Sequence, residues 1–136
     1  MLAGAFVALG GVFATTALPG EGAAPWGAIR VLAGVAFSLG LILVVVGGAE
    51  LFTGNNLIVM AWASGRLSLR TLARNWGIVF AGNFVGAAAT AFVVFLGGSY
   101  RLGDGAFGVT ALGIARAKVE LGFVQAVALG VLCNAL

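Results

Sequence analysis

Apolar residues fill four long stretches of the chain, and the charged side chains lie in the short segments between them. The stretches cover residues of about 1–19, 28–50, 76–98 and 119–136. Twenty helical residues extend over roughly 30 Å, which is the thickness of the hydrocarbon layer of a bilayer. The alternation that a β-barrel needs is missing, and open sheet edges are not tolerated in lipid. We therefore predict four membrane-spanning helices in a single all-α domain over residues 1–136.

The composition supports an integral membrane protein whose main partner is the lipid bilayer. Of the 136 residues, 62% are hydrophobic and 8% are charged, which leaves too little polar surface for a water-soluble domain. The basic residues behind the net charge of +3 are scattered without interleaved aromatic side chains, which argues against nucleic acid as a partner. The sequence has no histidine and no metal-binding, nucleophilic or phosphate-binding cluster, so we predict neither an enzyme nor a cofactor.

Three arginines between the second and third stretches recur at a spacing of four residues. Arg66, Arg70 and Arg74 are predicted to share one face of a short amphipathic helix, and their density favours the cytoplasmic side. The loops on the opposite side contain four basic residues, so the charge pattern alone leaves the topology open.

Small and amide side chains inside the apolar stretches predict how the helices associate. Gly82 and Gly86 form a G-x-x-x-G pair, which favours close helix packing within the chain over a contact between subunits. Asn83 and Asn134 each place an amide in an apolar stretch, where an interhelical hydrogen bond and a pore-lining role both remain open. Trp76 is predicted to anchor the third helix at the membrane interface.

The sequence VVGGAELFTGNN, at residues 45–56, ends the second stretch without the charges or prolines of an ordinary stop. The pair Gly47 and Gly48, followed by Gly54, allows the backbone to leave the helix. We predict that the chain unwinds over residues 50–56 within the bilayer, so that free peptide groups border a path for solutes. Glu50 is predicted to support this break structurally, because a free carboxylate in an anion path would repel the solute.

Three segments resemble the formate/nitrite transporter family: GAELFTGN, ARNWGIVFAGNFVGA, and a lysine followed by FVQAVALGVLCNAL. The resemblance implies an aquaporin-like bundle of six membrane helices with an interrupted second helix. It also implies a homopentamer in the bacterial inner membrane, with one pore per subunit. The expected function is transport of small monovalent anions such as formate, nitrite or hydrosulfide, with proton coupling left open.

The resemblance assigns roles to individual residues. Leu51, Phe52 and Thr53 correspond to the loop that narrows and gates the pore on the cytoplasmic side. The remaining positions are the apolar constriction residues Phe37 and Leu41, the outer-vestibule lysine Lys118, the pore-side asparagine Asn134, and the residues that shape the helix break, Gly47, Gly48, Glu50, Gly54 and Asn55.

The sequence also departs from the family pattern. Family members have a second interrupted helix and a central histidine in their second half, and neither occurs in these residues. We expect the chain to be the first of two inverted halves. A second hypothesis is therefore a membrane fragment that packs with its missing half, or with copies of itself, and conducts nothing.

Overall fold

The computed structural model describes residues 1–20 and 25–135, which contain helices and turns without any β-strand. The α-helices, numbered in chain order, are α1 (Leu2–Ala17), α2 (Trp26–Val46), α3 (Phe52–Asn55), α4 (Val59–Ala63), α5 (Leu69–Leu96), α6 (Ala106–Val119) and α7 (Phe123–Ala135). Short 3₁₀ turns lie at Leu18–Gly20, Asn56–Ile58 and Ser99–Arg101.

Each of the four apolar stretches overlaps one of the longer helices, although α2 begins two residues and α5 seven residues before the predicted start. α2, with 21 residues, and α5, with 28 residues, are long and apolar enough to cross a membrane, whereas α1 and α7 are shorter apolar helices. The hydrophobic pattern did not predict α6, whose last turn includes Arg116 and Lys118. Helical structure therefore extends into a segment that the sequence indicated only as a connection.

The predicted amphipathic helix around the three arginines is wrong. α4 ends at Ala63, and the chain then turns through Gly65, which has a φ of +70°. Arg66 lies in this turn, while Arg70 and Arg74 lie in the first two turns of α5. Helix α5 begins before the apolar stretch that starts at about residue 76. Its N-terminus is capped by the Ser68 hydroxyl, which accepts a hydrogen bond from the Thr71 N–H at 3.2 Å.

α1 packs against both α2 and α5, so it lies between the two long helices. Glycines permit the close approach on each side. A Cβ atom on Gly40 would lie 2.7 Å from the Phe6 carbonyl oxygen of α1. On the other side, a Cβ atom on Gly86 would collide with the carbonyl oxygen of Met1. The G-x-x-x-G pair thus forms a contact within the chain, as the sequence favoured.

Large side chains are mostly exposed in this chain. The buried cluster at one end of the bundle consists of Leu18, Ile29 and Ala33. At the other extreme, Phe123 at the start of α7 is 84% exposed, and α7 makes few contacts with the other described elements. This exposed apolar surface is typical of helices that contact lipid or other membrane helices.

Candidate functional site

Helix α2 ends in a Schellman motif centred on Gly48. The Gly48 backbone has a φ of +58°, in the left-handed region that glycine adopts without a steric penalty. The Ala49 N–H donates to the Val44 carbonyl oxygen at 2.9 Å, and the Gly48 N–H donates to that of Val45 at 3.2 Å. These bonds satisfy carbonyl groups at the end of α2 and terminate the helix.

The break exists, but its predicted extent is wrong. The chain leaves the helix at residues 47–51, and α3 begins at Phe52. Leu51 is extended, with φ −85° and ψ 142°, and the Asn55 N–H donates to its carbonyl oxygen at 3.0 Å to close the first turn of α3. Gly54 accordingly lies inside α3 rather than in the unwound segment.

The peptide groups on either side of Leu51 are bonded by the side chain of Asn83, which lies on α5. In the amide orientation that satisfies both neighbours, the Asn83 nitrogen donates to the Glu50 carbonyl oxygen at 3.2 Å. The Asn83 oxygen accepts from the Phe52 N–H at 2.8 Å. An asparagine amide thus provides partners for backbone groups that the break leaves without helical bonds.

Two aromatic residues of α5 hold α3 in place. The Phe52 ring meets Trp76 and Phe80 edge to face, with centroids 6.5 Å and 5.5 Å away. The Trp76 indole also donates to the Asn55 carbonyl oxygen at 3.0 Å. Trp76 therefore has a partner inside the protein, in addition to its predicted place at the membrane interface.

The acidic residue of the break is exposed rather than enclosed. The Glu50 carboxylate accepts a hydrogen bond from the side-chain amide of Asn55 at 3.1 Å, five residues along the chain. This bond joins the unwound segment to the end of α3. Thr53, at the exposed side of α3, lies between these two residues in sequence.

A cavity lies at each end of α2. The cavity beside the break has a volume of about 530 Å³, and its lining includes Gly48, Glu50 and Asn83. The other cavity, of about 740 Å³, is lined by Arg30, Asp104 and Lys118 among others.

The two cavities are separated by the length of α2. Arg30 and Gly47 are 17 residues apart along α2, or roughly 25 Å at the helical rise. Phe37 and Leu41 lie between these two ends, one turn apart on α2; Phe37 is half-buried and Leu41 is 45% exposed.

The structure brings together only part of the predicted site. Leu51, Phe52 and Asn55 meet at the break, and Lys118 lies at the far end of the bundle. Asn134 is in α7, and its side chain lies outside the described residues.

Phe80 and the contact of Trp76 with α3 were not predicted from the sequence. The available signal was the spacing of Trp76, Phe80 and Asn83, which places the three on one face of a helix.

This arrangement defines an all-α, multi-pass membrane protein with an interrupted second helix, and comparison with known proteins gives its family. The family model described as formate/nitrite transporter matches residues 1–136. The chain belongs to the formate/nitrite transporter family.

Individual relatives agree with this assignment. The formate channel FocA of Escherichia coli strain K12 is 46% identical over 132 residues, covering 97% of this chain and 46% of the relative. The FocA channel of Haemophilus influenzae is 41% identical with the same coverage, 97% and 46%. A solved structure described as a pentameric formate channel with formate bound matches with a TM-score of 0.90 and 41% identity, over 97% of this chain and 52% of its own. The chain spans about half the length of the relatives it matches.

Proposed function

We propose that the protein is a transmembrane channel for small monovalent anions, with formate, nitrite and hydrosulfide as the candidate substrates. We also propose that it works as a homopentamer in the bacterial inner membrane. The observation that carries the proposal is the position of the helix break, which lies beside one cavity while Lys118 lies beside another at the far end of α2. The names of the relatives, which include formate channels, support the same substrate class.

The proposed path begins at the cavity that Lys118 lines. The lysine attracts the anion by its positive charge, and the apolar residues Phe37 and Leu41 then restrict the path. Transfer of a bare anion into an apolar constriction is very costly, so a protonated, neutral form passes more readily. This physical preference is the basis for proposing that transport is coupled to protons.

The proposed gate is the segment Leu51–Thr53 at the cytoplasmic end. Phe52 is fixed by ring packing, whereas Thr53 is exposed and offers a hydroxyl that can donate to an oxyanion. Asn134 is proposed to add an amide to the path from α7. Gly47, Gly48, Glu50 and Asn55 shape the break and are proposed to act structurally.

Uptake into liposomes tests the proposed function. The full gene product that carries these residues is reconstituted, and the entry of formate, nitrite and hydrosulfide is measured against protein-free liposomes and against gluconate as a large anion. We expect at least one of the three small anions to enter faster, with gluconate excluded. Folded, inserted protein that transports none of them would contradict the proposed function.

Replacing Lys118 with glutamine is expected to slow anion uptake at low substrate concentration by about fivefold. This factor corresponds to the ~1 kcal/mol between unit charges about 4 Å apart in water. At 1 M salt the Debye length falls to about 3 Å, so the difference from wild type is expected to shrink. Initial uptake rates at low and high ionic strength provide the measurement.

Arg116→Gln is the matched control for charge. It removes one positive charge from the same helix, but the Arg116 Nε already lies 2.6 Å from the Glu120 carboxylate. Equal effects of the two substitutions at both ionic strengths would show that net charge, rather than Lys118, attracts the anion.

A further inference from the structure

We propose that Asn83 is a positioning residue for the gate, and that its side-chain amide fixes Leu51 by bonding the peptide groups on both sides of it. We expect Asn83 to set the selectivity of the gate, and this consequence rests on the proposed channel function. The structural basis of the proposal is independent of which anion is transported.

The break removes two hydrogen bonds that a continuous helix would form. In an unbroken helix the Glu50 carbonyl would accept from the N–H of Gly54, and the Phe52 N–H would donate to the carbonyl of Gly48. Both bonds are lost when the chain turns at Gly48. A side-chain amide carries a donor and an acceptor on adjacent atoms, so Asn83 replaces both lost partners at once, at 3.2 Å and 2.8 Å.

These peptide groups lie beside a cavity. Backbone groups of a broken membrane helix must be hydrogen-bonded by the protein or by water in a cavity, because leaving them unsatisfied against lipid is costly. Asn83 and Glu50 line the same cavity beside the break. The amide therefore bonds two backbone groups beside the cavity. No further backbone segment, which would fill the cavity, is needed to bond them.

Asn83 is held in place by the close packing of α5 against α1. A Cβ atom on Gly4 would lie 2.8 Å from the Asn83 Cα and would collide with its carbonyl oxygen. The backbone of α5 at Asn83 is thus in direct contact with α1. This contact fixes the distance over which the amide reaches the break.

Asn83 has a different role from its neighbours on the same face of α5. Trp76 and Phe80 contact the Phe52 ring and the end of α3, downstream of the unwound residues. Asn83 alone among these three residues bonds the backbone on both sides of Leu51. Without the Asn83 amide, the backbone of Leu51 would no longer be held in one conformation, while the ring contacts of Phe52 would remain.

The experiment compares Asn83→Leu and Asn83→Asp in the full gene product, reconstituted in lipid nanodiscs for hydrogen exchange and in liposomes for transport. Leucine removes both bonds at similar size, whereas aspartate retains an acceptor for the Phe52 N–H. We expect exchange in peptides covering residues 49–55 to be about tenfold faster in Asn83→Leu, with an intermediate rate in Asn83→Asp. Selectivity for formate over lactate is expected to fall in the same order.

This order distinguishes positioning from general packing. If Asn83 only filled space in an apolar setting, leucine would be tolerated and a carboxyl group would be the more damaging change. Thr90→Val is the control, because the Thr90 hydroxyl bonds the Gly86 carbonyl of its own helix at 2.9 Å, and neither readout is expected to change.

Unchanged exchange over residues 49–55 in Asn83→Leu, or a larger effect of aspartate than of leucine, would overturn the proposal. If the leucine variant does not insert, Asn83→Ala takes its place, with the same expected acceleration. A wild-type protein that transports nothing would refute the proposed function, whereas the exchange rates would still decide the role of Asn83.

Discussion

A Gly4→Ala variant is expected to unfold at a clearly lower temperature than the wild-type protein and to lose most of its anion transport. The added methyl group would collide with the backbone of Asn83, whose carbonyl oxygen, carbonyl carbon and Cα lie in its path. Backbone atoms cannot rotate away, so α1 and α5 must separate. Overpacking of this kind typically costs about 1–3 kcal/mol, and the better helix propensity of alanine offsets only ~1 kcal/mol of it.

Thermal unfolding in detergent and uptake in liposomes measure these two effects. Gly11→Ala is the matched control, because it changes the same residue type on the same helix, where an added Cβ atom meets nothing within 4 Å. That variant is expected to be as stable as wild type or slightly more stable. Equal stability of the two variants would mean that the contact of α1 with α5 is not needed for the fold.

A Phe52→Ala variant is expected to pass formate faster than wild type and to admit lactate as well. The substitution removes the ring that packs between Trp76 and Phe80 and widens the proposed gate. Loss of a large aromatic side chain from a packed site costs about 3–5 kcal/mol, and we expect the lower part of this range because Phe52 is only partly buried. Initial uptake rates of formate and lactate into liposomes provide the measurement.

Phe92→Ala is the control for this experiment. Phe92 is on α5, the helix that carries Trp76 and Phe80, but it is 61% exposed and lies 12 residues from Phe80, or roughly 18 Å along that helix. Its uptake rates are expected to match those of wild type. If Phe52→Ala transports formate more slowly and still excludes lactate, Phe52 supports the path rather than narrowing it.

The existence of the helix break could be predicted from sequence, but its limits could not. The glycine pair and the polar residues after it indicated that the helix stops there. The asparagines at 55 and 56 suggested continued irregular structure. Both adopt right-handed helical angles, since the chain re-enters a helix at Phe52 once the ring of that residue packs on α5. Tertiary contacts therefore decided where the unwound segment ends.

The connections were the least predictable part of the fold. Residues 106–119 include glycines, an arginine and a lysine, so the apolar pattern indicated no helix where α6 forms. The spacing of the arginines suggested a helix that the positive φ of Gly65 interrupts. At Gly65 the local backbone conformation, rather than the distribution of charged residues, determines where the chain turns.

The partners of the site residues required coordinates. For Asn83, a hydrogen bond between helices and a pore-lining role were equally open from the sequence, because its partners Glu50 and Phe52 are about thirty residues away. In the amide orientation that satisfies both neighbours, Asn83 forms hydrogen bonds across the break.

The contact between Met1 and Gly86 has a consequence for biosynthesis. The two residues are 85 positions apart, yet a side chain on Gly86 would collide with the Met1 carbonyl oxygen. At a synthesis rate of about 5–20 residues per second, Met1 is added to the chain roughly 4–17 seconds before Gly86. During nascent-chain insertion, α1 therefore meets α2 first, and its second face is covered only after α5 has been translated.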